Sequence, residues 1–241
     1  MLRKLFASRR PAPACAPAVP DALRPGGNVA ALTEAARAAL AANHLTGQRA
    51  AVYLVLDRSK SMLDHYDNGT MRRLGEHTLA LAAALGDGRV PVVFFSTGLD
   101  ATTVLDPDNH AGLIDTAHGQ LGPMGRTNYT PAIDAVIDHH REHGAAGPAL
   151  VLFQTDGHPT DEAAAKTTLT AAKDLPIFWV FTVFGDTTDF PGPLTSRAGV
   201  KNTAFVSVPD PRHLDHQALY TRISTLFATY LTSAHETGLL P

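Results

Sequence analysis

Apolar and polar positions alternate between two textures along this chain: short unbroken apolar runs, and longer stretches with apolar residues every three or four positions. Ala50 to Leu56 is an apolar run of strand length, followed by Val90 to Ser96, Pro148 to Thr155, Pro176 to Phe184 and Thr203 to Val208. All five predict strands, and the near-continuous runs from Pro148 and Pro176 predict central strands buried on both faces. Ala101 to Leu105 predicts a short antiparallel edge strand, and Pro91 must stand near the start of its strand because it cannot donate to a ladder.

Between the runs the spacing becomes helical. Val29 to Asn43 is rich in helix formers, with Gly47 beyond as a stop. Thr70 to Leu85 places Met71, Leu74, Thr78, Leu81 and Leu85 on one face. Further helices are predicted around Asn109 to Ala117, from Pro131 to Glu142, from a Thr160 cap to Lys173, and from Leu214 to Ser233. Strands alternating with helices predict an α/β fold: a doubly wound, mostly parallel sheet with helices on both faces and one antiparallel edge strand.

At 241 residues the chain suits one such domain. The predicted organisation is a disordered, basic, Pro- and Ala-rich tail over 1–27, the domain over 28–234, and a C-terminal tail over 235–241. The apolar stretch within Met1 to Arg10 is too short for a secretory signal. No run approaches the roughly 18 apolar residues of an integral membrane segment. With 20 basic and 23 acidic residues spread along the chain, no basic stripe offers itself to nucleic acid. Cys15 is the sole cysteine, which rules out a disulfide framework within the chain and a cysteine-ligated zinc, and fits a reducing, cytoplasmic setting.

Candidate chemistry begins where the first strand runs into Asp57-Arg58-Ser59-Lys60-Ser61. A carboxylate at the carboxyl end of a parallel strand lies in the crevice where open α/β sheets bind ligands. Two other segments place oxygen ligands at loops leaving the sheet: Thr127, just ahead of a helix, and Asp156, at the exit of a buried strand. Carboxylates and hydroxyls are hard ligands suited to magnesium or manganese. In one arrangement Ser59, Ser61 and Thr127 bind the ion while Asp57 and Asp156 hold coordinated waters, which leaves a replaceable position.

These segments resemble the metal-ion-dependent adhesion site of the von Willebrand factor A domain, with its Asp-x-Ser-x-Ser, Thr and Asp. The chain is most similar to the bacterial tellurium-resistance branch, through Tyr66-Asp67-Asn68-Gly69, Thr127-Asn128-Tyr129-Thr130-Pro131 and Thr155-Asp156-Gly157. The likeness runs from about Val29 to Leu231. It implies a metal site of Asp57, Ser59, Ser61, Thr127 and Asp156 holding Mg2+ or Mn2+, and a partner protein that presents Asp or Glu to the ion. It further implies no catalysis, and a place in a bacterial tellurite or stress-resistance system, with other proteins of that system as partners. Two departures are cationic: Arg126 replaces a glycine before the Thr, and Lys60 stands where many such sites have glycine.

Rival chemistries are weaker. A strand-terminal Asp57 could serve a haloacid-dehalogenase-like phosphatase, with Ser96 and Asp156 mimicking its later motifs, but Ser59 stands where that chemistry needs a second carboxyl as general acid. A von Willebrand A-type domain with a degenerate site, acting as a metal-independent scaffold, is the other alternative. His139-His140-Arg141-Glu142-His143 matches a zinc-peptidase spacing, but His140 falls on the apolar stripe and Glu142 points away from it. Trp179 reads as core, whereas Tyr66 and Tyr129 read equally as rim packing or partner contact.

Overall fold

The computed structural model describes residues 27–143, 147–185 and 202–241. The tail expected over 1–27 therefore lies outside the described residues except for Gly27, which opens the first helix.

In chain order the elements are α1 (Gly27–Ala42), β1 (Ala51–Asp57), a 3-10 turn (Lys60–Met62), α2 (Leu63–Asp67), α3 (Thr70–Leu85), β2 (Val90–Phe95) and β3 (Leu99–Leu105). Then follow α4 (Leu113–Gln120), α5 (Thr130–Glu142), β4 (Ala149–Thr155), α6 (Glu162–Ala171), β5 (Ile177–Phe184), β6 (Thr203–Val208) and α7 (His216–Glu236). The strands form one sheet in the order β3-β2-β1-β4-β5-β6. All neighbours are parallel except β2 and β3. This is the expected doubly wound sheet with its antiparallel edge strand.

Alternate residues of each strand feed two cores. Val52, Leu54 and Leu56 of β1 join Leu150, Leu152, Phe178 and Val180 beneath α1, α3 and α7. Tyr53 and Val55 join Val151, Phe153, Trp179 and Phe181 beneath α5 and α6. Both faces being covered is why these strands are apolar along most of their length.

Two helices differ from their sequence-based limits. The helix expected at Asn109 to Ala117 spans Leu113–Gln120, because Asn109 instead closes a turn: its side chain donates to Val104 O (2.9 Å) and it accepts from Asp106 N (2.9 Å). The helix expected from a Thr160 cap begins at Glu162, and Thr160 bonds the loop before α5 instead. At the C-terminus α7 runs to Glu236, and Leu240 is buried in the first core.

Chain order along the sheet reverses between β1 and β4: β2 and β3 lie on one side of β1, and β4, β5 and β6 on the other. The carboxyl ends of β1 and β4 flank the crevice that such a switch point opens.

Candidate metal centre

Asp57 ends β1 and is fully buried. Its Oδ1 accepts from Ser59 N (2.6 Å) and its Oδ2 from Thr155 Oγ1 (2.8 Å), so the last residue of β4 grips the last residue of β1. Gln154 Oε1 accepts from Asp57 N at 3.2 Å, and Tyr66 OH donates to Asp57 O at 3.1 Å. Burial pushes the Asp57 carboxyl up to about 7, against the hydrogen bonds from Ser59 and Thr155, and the nearby charge of Asp156 adds to the rise.

Ser59 is buried and its Oγ lies 3.2 Å from Ser61 Oγ. The chain then folds into the 3-10 turn, which leaves Ser61 exposed. The loop carrying Thr127 is brought to this segment by an isolated parallel bridge between Ser59 and Gly125. Glycine is required there because a Cβ would come within 2.5 Å of Thr97 Oγ1 and 3.0 Å of Thr97 N. Asn128 N donates to Ser96 O, while Thr160 N donates to Thr127 O at 2.8 Å. Asp161 then receives both Tyr129 N (2.8 Å) and Thr130 N (2.9 Å), capping α5 from the far loop. Among the described residues, neither Thr127 Oγ1 nor the Asp156 carboxylate has a hydrogen-bond partner, and both residues are partly exposed.

Sequence reasoning missed the supports. Arg58, read as a spacer, is 2% exposed. Its Nη1 pairs with Asp100 Oδ2 (2.6 Å), its Nη2 donates to Gly122 O (2.8 Å) and its Nε to His118 Nδ1 (3.2 Å). Asp100 Oδ1 also accepts from Ser96 Oγ at 2.8 Å. His118 stacks on Tyr66 with ring centroids 3.9 Å apart, and burial together with the Arg58 charge holds its imidazole below the usual value. No sequence signal marks Arg58, since its burial depends on a carboxylate 42 positions away.

The two tyrosines resolve to packing: Tyr66 is buried over Asp57, and Tyr129 is buried with its OH donating to Gly157 O at 2.7 Å. Trp179 is core. The peptidase-like spacing on α5 forms no site. His140 is buried, His139 bonds Tyr53 OH at 3.1 Å rather than lying wholly in solvent, and Glu142 is exposed. Among the described residues no group of three or more His, Cys, Asp or Glu could hold a metal ion, so any ion here must draw on hydroxyls.

Comparison with known proteins decides the family. Residues 49–240 match the model of the vWA-TerF-like family, the von Willebrand A domain found in the TerF C terminus. The chain belongs to this family. It is 28% identical over 204 residues to the uncharacterized protein YcbR of Bacillus subtilis (strain 168), covering 81% of this chain and 83% of that protein. Among solved structures it is similar to proximal thread matrix protein 1 of the mussel byssus, at 14% identity and TM-score 0.52, covering 75% of this chain and 48% of that one. The pilus adhesin SpaC of Lactobacillus rhamnosus GG aligns at 12% identity and TM-score 0.52, over 73% of this chain and 31% of that one. The chain thus spans less than half the length of these two structures, and the likeness to them is one of fold alone. The family match begins at residue 49, so α1 lies ahead of the matched segment.

Proposed function

We propose that this vWA-TerF-like domain is a metal-ion-dependent protein-interaction module and not an enzyme. Mg2+, or Mn2+ in its place, is held by Asp57, Ser59, Ser61, Thr127 and Asp156. The observation that carries this reading is the pair of unpartnered oxygen donors, Thr127 Oγ1 and the Asp156 carboxylate, on the two loops joined to the buried Asp57 segment at the sheet's switch point. The donor set fits a hard dication, with two carboxylates to balance its charge and three hydroxyls as neutral ligands. When bound, the ion supplies a Lewis-acid position that an Asp or Glu of a partner protein can take.

The chain's own part is rigidity. Ser59 N and Thr155 Oγ1 fix both oxygens of Asp57, and Arg58 ties the first loop to Asp100, His118 and Gly122. The family points to a bacterial tellurite or stress-resistance system in the cytoplasm, with other tellurium-resistance proteins as partners. No helix among the described residues is long and apolar enough to cross a membrane. The phosphatase alternative lacks its acid, and the Ser96 hydroxyl that would mimic a later motif is committed to Asp100.

Affinity capture from lysate in magnesium and in chelator tests the reading. Wild type should capture a partner only in magnesium, and Asp57→Ala and Asp156→Ala should capture none while unfolding cooperatively. Capture by both variants equal to wild type, with or without chelator, would point to the metal-independent scaffold instead. Phosphate-ester turnover abolished by Asp57→Ala would restore the phosphatase.

A further inference from the structure

Lys60 and Arg126, the two departures from the family pattern, each directly follow a residue of the bridge that joins the two loops. The bridge between Ser59 and Gly125 is closed by Lys60 N donating to Gly125 O and Gly125 N donating to Arg58 O, both at 3.2 Å. As the next residue of each segment beyond this isolated bridge, they flank Ser59, Ser61 and Thr127 on their loops. Both are exposed, and neither has an ion-pair partner among the described residues. Both positive charges oppose any cation held by the adjoining Ser59, Ser61 and Thr127. An anion bound beside them would relieve this penalty.

We propose that the partner of this site is an acidic protein segment, with carboxylates flanking the one that reaches the metal so that they engage Lys60 and Arg126. This rests on the metal-site reading above. A single carboxylate would satisfy the ion but leave Lys60 and Arg126 facing water. A run of acidic residues answers both, and its field speeds encounter with the cationic edge.

The test uses a synthetic peptide bearing a run of glutamates, and its counterpart with one glutamate among glutamines, titrated in magnesium and in chelator. Wild type should prefer the acidic run by about tenfold, as two exposed charge pairs allow, with the preference shrinking as salt rises. Lys60→Ser/Arg126→Ser should lose the preference while binding magnesium alone as tightly as wild type or more so. A preference that survives the double substitution, or no binding of either peptide by magnesium-loaded wild type, overturns the proposal and leaves the metal site standing. If wild type fails to bind magnesium alone, as read from a melting shift, the metal-site reading falls instead. An acidic preference equal in chelator and lost in the double variant would keep the cationic pair but detach it from the metal.

Discussion

Asp57 is a fully buried carboxyl whose two hydrogen bonds do not offset its desolvation, and Asp156 lies close enough to repel it. Its folded pKa of about 7, against 3.8 for the free group, means that the metal-free folded state holds this proton more tightly than the unfolded chain does. Stability from this group is full below pH 4 and is lost as pH rises through about 7. The loss is on the order of 4 kcal/mol, at 1.36 kcal/mol per pKa unit. Asp57→Asn should therefore raise the melting temperature of chelated protein at pH 8 and have little effect at pH 4. A dication needs the carboxylate, so magnesium binding at pH 6 should release about one proton, measurable by calorimetry in buffers of differing ionisation enthalpy. Absence of proton release would remove Asp57 from the ligand set. Arg58 poses the inverse problem, a buried cation compensated by Asp100, which is itself 18% exposed. Arg58→Met should cost about 3 kcal/mol in urea unfolding, at the low end for breaking a buried pair because Asp100 keeps some water. A cost below 1 kcal/mol would show that Asp100 and His118 re-solvate without strain.

The loop before α5 and the loop after β4 hold each other, and α5 depends on a residue from the other loop for its cap. Asp161 accepts from the Tyr129 and Thr130 amides, and Thr160 donates its amide to Thr127 O and its hydroxyl to Asn128 Oδ1. Asp161→Ala should thus cost about 1–2 kcal/mol, the range for a lost helix cap, and also weaken magnesium binding, since Thr127 sits in the segment that Asp161 anchors. A stability loss with unchanged magnesium affinity would separate the cap from the site. The same pair shows what sequence could and could not reveal. The strands and the long helices were legible because burial on one face or two writes itself into local periodicity. Asp57, Ser59, Ser61, Thr127 and Asp156 were legible as motif positions at loop entrances. Thr160 was misassigned to its own helix because a local cap and a cross-loop bond use the same hydroxyl. Arg58, Thr155 and Asp161 act on residues far along the chain, and spacing carries no record of such contacts.

Across the molecule, one core continues beyond the family-matched segment. Leu32, Ala36 and Leu40 of α1 are buried in the same cluster as α3 and α7 residues such as Leu81, Leu85, Phe227 and Tyr230. Leu240, past the end of α7, is buried there too. A chain cut to residue 49 onward would keep every proposed metal ligand and every strand, yet it would expose the faces of α3 and α7 that α1 covers. Removing a single buried leucine costs about 2–5 kcal/mol, so losing Leu32 and Leu40 together consumes much of the 5–15 kcal/mol that holds a typical domain. Removal of residues 1–26 should leave the melting temperature within about 2 °C of wild type, whereas removal of 1–48 should abolish cooperative unfolding or lower it by more than about 10 °C. Equal melting temperatures for the two truncations would mean that α1 rests on the domain without stabilising it. A large fall on removing 1–26 alone would instead place part of that segment against the folded unit. If the longer cut also loses magnesium binding while the shorter keeps it, the switch-point site depends on the core that α1 completes, the core to which Tyr66 over Asp57 also belongs.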